Sequence, residues 1–273
     1  MEITYIHHSC FLAQGDKFSI LFDYWTDPTT TDARHPRFLD TVRRDCPLYV
    51  FVSHHHKDHF NQAIFRWASE HPDIRYILSD DIARFARHYL RSESSYRGPK
   101  PNPDQVKVLK PGENYKDDIL EIHAFGSTDC GCSWLVTPTD ESGQPDKSES
   151  IFHAGDLNAW IWIEESTPEE VEEATSAYSK ILKEIANTTG RIGYCLFPVD
   201  SRIGSHWYLG AEMIVREIAV DHFFPMHFTL ADGEEEKRKR IEDACRFDLY
   251  ANRKHGEYIA LTTPYTGYLN GGK

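Results

Sequence analysis

The densest ligand chemistry in this chain lies in seven consecutive residues, Ser53-His54-His55-His56-Lys57-Asp58-His59. Imidazoles crowded in this way repel one another when protonated. A divalent cation removes that cost by taking their neutral nitrogens. His54, His56 and Asp58 fall at i, i+2 and i+4. On an extended or turning segment that period is expected to point all three to one side and His59 to the other. Two ligand sets facing different ways suit two metal ions better than one. The plain alternative, a solvated histidine-rich loop, fits poorly with the apolar run in front of it and the Asp inside it.

The elements around this stretch are those that would hold it. Cys46–Val52 is a short β-branched and aromatic run that reads as a buried strand, and residues 60–68 begin a helical pattern. Residues 76–78 read as a further strand. Residues 79–90 read as one helix, capped by Ser79, with Asp80 and Asp81 at its positive end and a stripe of Ile82, Phe85, Ala86, Tyr89 and Leu90. Strand and helix thus alternate, the mark of an α/β fold. Three short strand candidates, residues 3–8, 10–13 and 18–22, precede them as a meander. Further on come strands at 119–125, 151–156 (ending in a Gly-Asp turn), 194–199 and 223–227. Thr167-Pro168-Glu169-Glu170 forms a capping box with proline at the first helical position. Residues 210–220 read as a helix, and Glu234–Arg240 as a solvated helical face with charges paired at i, i+4.

The pattern His54-x-His56-x-Asp58-His59 resembles the metal-binding signature of the metallo-β-lactamase superfamily of binuclear hydrolases. The resemblance looks closest to the ascorbate-6-phosphate lactonase-like branch and covers about residues 3–228. It implies an α/β fold, a four-layer αββα sandwich with metals at one edge of its two sheets, formed by residues 1–273 as a single domain. It further implies that Asp156, after the sharp turn at Gly155, bridges both metals, and that His227 supplies the last ligand. His8 matches the His of the family's Gly-His-Ser, with His7 where Gly is usual, and reads as a hydrogen-bonding support behind the metals. The family's middle His is missing. The segment reads Phe125-Gly-Ser-Thr-Asp129, and His123 lies inside the strand. Asp129 is the substitute ligand, a hard oxygen donor that would shift preference from zinc towards Mn²⁺ or Fe²⁺. The other option is a weak or empty first site.

Other polar groups follow strand ends, where loops form sites. Asp200, Arg202 and His206 are candidate substrate contacts, Arg202 having the fork to hold a carboxylate or phosphate. Asp23 ends a strand but reads equally well as a turn residue. Tyr24, Trp25, Trp160 and Trp162 are candidates for an aromatic wall. Of the six cysteines, Cys130-Gly131-Cys132 is the one close pair; its spacing is not that of a zinc knuckle, and packing is the expected role.

With 273 residues, 40% of them apolar and 27% charged, the composition is that of an ordinary soluble domain. A net charge of −13, from 30 basic and 43 acidic residues, argues against a nucleic-acid partner. No signal-peptide pattern and no membrane-length apolar run are visible, so a cytoplasmic protein with no membrane partner and free thiols is expected. The expected partner is a small-molecule substrate, with a homo-oligomer left open. The function expected is that of a metal-dependent hydrolase holding two divalent ions, Zn or Mn with Fe as a further option. Asp58 would both ligate and accept a hydrogen bond from the attacking water. The substrate would be a small ester, lactone or phosphate-bearing metabolite. The rivals are a phosphodiesterase or nuclease of the same superfamily, a redox di-iron protein (a branch that tends to carry Glu where His56 stands), and a non-catalytic protein with one structural metal.

Overall fold

The computed structural model describes residues 1–32, 35–91, 94, 96–246 and 256–271. The chain forms two compact units, one of residues 1–110 with 261–273 and one of residues 111–260.

The first unit is built on a mixed sheet in the order β14-β1-β2-β3-β4-β5-β6. Its strands are β1 (Glu2–His7), β2 (Cys10–Gln14), β3 (Ser19–Phe22), β4 (Leu48–Val52), β5 (Ile74–Ser79), β6 (Val106–Leu109) and β14 (Gly267–Leu269). β1 to β3 form the antiparallel meander expected, and β3 to β6 run parallel. Every residue of β3 and β4 is buried, as unbroken apolar runs require of central strands. Phe22 pairs with Phe51, so Asp23 and Ser53 emerge side by side at the carboxyl ends of neighbouring strands. Behind them Tyr24 and Phe38 each pack edge to face with Trp67, at 4.9 and 5.1 Å, and are tilted against each other at 5.9 Å. Tyr24 is therefore core and not wall.

Two local expectations differ. Residues 62–69 form a 3₁₀ helix, started by the Asn61 side chain accepting from Ala63 N at 2.9 Å. The single helix expected over 79–90 is two short ones, α2 (Ile82–Phe85) and α3 (Arg87–Leu90), after α1 (Phe38–Thr41). Ser79 ends β5 and caps nothing, and the Asp81 carboxylate is drawn away from the helix end to His55.

The second unit has the sheet order β13-β12-β11-β10-β9-β8-β7. Its strands are β7 (Asn114–Lys116), β8 (Leu120–Phe125), β9 (Ser133–Pro138), β10 (Ile151–His153), β11 (Arg191–Pro198), β12 (Ala219–Met226) and β13 (Glu257–Tyr258). β7 to β10 are antiparallel and β10 to β13 parallel. The capping box is present: Thr167 and Glu170 bond reciprocally and open α4 (Pro168–Thr188), which buries Tyr178, Leu182 and Ile185. α5 (Leu209–Glu217) and α6 (Glu234–Arg246) follow. α6 carries solvated i, i+4 pairs such as Lys239–Asp243 at 3.2 Å.

Both units thus begin as a meander and continue as parallel strands, with the candidate residues just beyond the carboxyl ends. This is the α/β class expected, of the metallo-β-lactamase type. Among the described residues, no helix is long and apolar enough to cross a membrane.

Candidate metal centre

In the first unit, Asp23 organises the donors. It sits one residue past β3 with φ 43°, in the left-handed region, and is fully buried. Its Oδ1 accepts Ser53 N at 2.7 Å, and its Oδ2 accepts Ser53 Oγ at 2.5 Å and His59 Nδ1 at 2.7 Å. Because the Ser53 hydroxyl proton goes to Asp23, the oxygen is left to accept from His54 Nδ1 at 2.9 Å. One carboxylate therefore fixes two rings, one directly and one through a serine. In both, the network leaves Nε2 as a lone-pair donor.

His54 Nε2 lies 3.1 Å from His56 Nδ1, and the His54 and His59 rings are 4.3 Å apart. Asp58 does not join His54 and His56 as its spacing suggested. His59 N and Phe60 N both bond to His56 O, at 3.1 and 3.0 Å, so residues 56–60 turn helically and the two-residue period is lost. Asp58 Oδ2 instead lies 3.4 Å from His8 Nε2 and 3.9 Å from His59 Nε2. His8, buried and with φ 57°, offers its nitrogen within the same donor group as Asp58 and His59. It stands among the candidate donor atoms. His55 faces elsewhere: Nδ1 bonds Asp81 Oδ2 at 2.7 Å, and the ring stacks on Phe85 at 3.9 Å. Trp25, half-buried, lies 5.8 Å from the His8 ring.

The second unit repeats the device with other residues. His227 follows β12 directly, with φ 66°, and its Nδ1 bonds Asp200 Oδ2 at 2.9 Å. Nε2 is thereby turned to Asp156 Oδ1, 3.3 Å away. Asp200 is fully buried, which corrects its expected role as a substrate contact. Its carboxylate accepts Arg202 N at 3.0 Å and Nε at 2.7 Å, together with Nη2, so the Arg202 fork is turned onto Asp200. Burial works to raise the Asp200 pKa. The hydrogen bonds from His227 and Arg202 outweigh it and hold the carboxyl well below the usual range. Arg202 Nη2 is also 3.2 Å from His227 Nδ1, but a guanidinium only donates, so the carboxylate claims the ring proton.

Asp156 leaves the strand end through Gly155, at φ 54°. Thr128 ties its loop down, bonding Asn158 O at 2.6 Å and accepting Asn158 N at 3.1 Å. Asp129, beside Thr128, is exposed, and its carboxylate lies within 4.8 Å of the Cys130 thiol. Cys130, read from the sequence as packing, is only half-buried and can offer its thiol here. His123 is occupied by Glu121 at 3.0 Å on the other face of β8. His206, half-buried, bonds Ser205 Oγ at 3.0 Å and stacks on Tyr208.

This donor set fits divalent ions. His227 Nε2 and Asp156 Oδ1, two acceptors 3.3 Å apart, repel unless they share a cation. His54 Nε2 and His56 Nδ1 make no such demand, because His56 Nδ1 can donate to His54 Nε2. The carboxylate behind each of His59 and His227 is the arrangement that orients a ligating imidazole.

Residues 2–162 match the family model described as the beta-lactamase superfamily domain, and the chain belongs to that family. A Mycobacterium tuberculosis protein with the provisional description Rieske 2Fe-2S iron-sulfur protein is 31% identical over 149 residues, 52% of this chain. The match spans only 28% of that relative's length. Among solved structures, Igni18, a metallo hydrolase from the archaeon Ignicoccus hospitalis, is similar with TM-score 0.60 at 17% identity, over 100% of this chain and 99% of that one. CmlA, a diiron β-hydroxylase from Streptomyces venezuelae, gives TM-score 0.61 at 12% identity over 98% of this chain and 53% of that one. At these identities the likeness is one of fold.

Proposed function

We propose that the chain is a metal-dependent hydrolase acting on a small ester, lactone or phosphate-bearing metabolite, the substrate range of the ascorbate-6-phosphate lactonase-like branch its motif resembles. Its candidate ligands for two divalent ions, Zn or Mn with Fe as a further option, are His54, His56, Asp58 and His59 in the first unit, and Asp129, Asp156 and His227 in the second. The observation that supports this most is the facing pair of acceptors, His227 Nε2 and Asp156 Oδ1, held at 3.3 Å by a buried carboxylate that fixes the ring. The net charge of −13 favours a small-molecule substrate over nucleic acid.

A bound divalent ion would polarise the substrate's carbonyl or phosphoryl oxygen and bring the pKa of water to about 7. The chain's own part is orientation and proton handling. Asp23 and Asp200 accept from Nδ1 of His59 and His227, which leaves Nε2 of the neutral ring to present its lone pair. Asp58, with its carboxylate 21% exposed, accepts the proton of the attacking water. The water oxygen bonds to the carbonyl carbon or phosphorus, the bond to the leaving oxygen breaks, and that oxygen takes up the proton.

The test is a panel of lactones, esters, phosphomonoesters and phosphodiesters, run on stripped protein reconstituted with Zn²⁺, Mn²⁺ or Fe²⁺. Metal-dependent turnover of an ester, lactone or phosphomonoester, lost in Asp156→Ala, is expected. Turnover of phosphodiesters alone would make it a nuclease-type enzyme. No turnover with any metal would overturn the reading.

A further inference from the structure

Trp160 is a bulky residue held where glycine would be comfortable, with φ 42°. A side chain persists in that conformation only when its surroundings over-determine it. The surroundings are the candidate centre itself. The indole Nε1 donates to Asp156 O at 2.7 Å, and the ring stands edge-on to His227 with centroids 5.6 Å apart. The indole is thus fastened to the two residues that face each other as metal ligands, and it remains half-buried.

The residues that follow are also apolar. Ile161 is buried, whereas Trp162 and Ile163 are each 38% exposed. Glu164 then closes the segment by accepting Ser205 N at 2.9 Å, beside Gly204, where any Cβ would collide with that carboxylate. Large apolar side chains left in water beside a polar centre are costly to the free protein. Here they sit on a segment fixed at both ends.

The geometry points to Trp160, continued by Trp162 and Ile163, as a wall that receives an aromatic or other flat unsaturated group of the substrate next to His227. This deepens the hydrolase reading and rests on it for the position of the reacting centre. An indole face gains from stacking and from shedding water, so it selects flat groups over small aliphatic ones.

Binding is measured apart from turnover, by calorimetry on the metal-loaded protein, with phenylacetate and acetate as probes. Phenylacetate is expected to bind at least tenfold more tightly. Trp160→Ala should bring the two within threefold, and Trp160→Phe should keep most of the preference. Should Trp160→Ala fold poorly, wild-type protein labelled with 5-fluorotryptophan gives the same answer. The ¹⁹F resonance absent from Trp160→Phe must move with phenylacetate and stay still with acetate. Equal binding of the two probes, a preference that survives in Trp160→Ala, or an unmoved Trp160 resonance overturns the inference. Phenylacetate and acetate esters add a turnover readout, with the preference lying in KM. Hydrolysis without aromatic preference sinks the wall alone, whereas preference in binding without hydrolysis of any ester upholds the wall and sinks the hydrolase reading.

Discussion

Asp23–His59 and Asp200–His227 solve one problem by opposite means. In the first unit the carboxylate occupies the left-handed position and the histidine comes from a helical turn. In the second the histidine is left-handed, and the carboxylate starts a 3₁₀ turn by accepting from Arg202 N. Asp23 is satisfied by neutral donors, the amide and hydroxyl of Ser53, and passes its influence on to His54. Asp200 is satisfied by a guanidinium that is 30% exposed. A buried carboxylate behind a candidate ligand ring can thus be tied down either through an amide and a hydroxyl or through a guanidinium, and the guanidinium reaches solvent.

The contrast breaks most visibly on removing each carboxylate. Asp23→Ala strands the Ser53 amide and hydroxyl and the His59 ring donor in a dry site and is expected to cost roughly 3–5 kcal/mol, at about 1–3 kcal/mol for each donor left unsatisfied. Asp200→Ala should cost less, about 1–3 kcal/mol, because Arg202 can turn to water. Urea unfolding separates them, and equal costs would erase the distinction drawn between neutral donors and a guanidinium. Both changes should weaken metal binding roughly 10–100-fold.

A smaller effect tests what fixes the loop behind Asp23. The Tyr265 hydroxyl donates to Asp27, which also accepts Thr29 N and Oγ1 and Arg37 N. Burial raises the Asp27 pKa, but these bonds lower it further, so its folded value lies below the ordinary 3.8. A depressed carboxyl contributes stability that is present above about pH 4 and lost as pH falls through the folded pKa. Tyr265→Phe should cost about 1–2 kcal/mol at pH 7 and flatten the loss of stability below pH 4. An unchanged acid limb would show that Tyr265 does not hold Asp27. The smallest effect belongs to the other unit: Thr167→Ala removes the α4 cap for about 1 kcal/mol by thermal melting, with metal content unchanged.

Much of this was legible in the residues. The capping box at Thr167 is local chemistry, and the apolar run before His54 is a buried strand because nothing else accommodates it. His54, His56, His59, Asp156 and His227 all lie just past strand ends, as their flanking sequences suggest. What was not legible depends on the third dimension. Asp23 looks like any acidic turn residue until β3 and β4 pair and set it beside Ser53. An Asp ending a strand, as Asp156 does, was the signal available. Asp200 and Arg202 are two residues apart, and only folding shows that they spend their charges on each other. Asp58 turned away from His54 because backbone bonds to His56 O replaced an extended segment. Nor does a short sequence window show that Asp81 pairs with His55, 26 positions away.

The central claim is that both clusters hold divalent ions. Metal counted by mass spectrometry on protein purified without added metal tests it most directly. Two equivalents per chain are expected in the wild type, with one or none in His54→Ala and in Asp156→Ala, both variants keeping their fold by circular dichroism. Metal-free wild-type protein, or two equivalents retained in both variants, would contradict it.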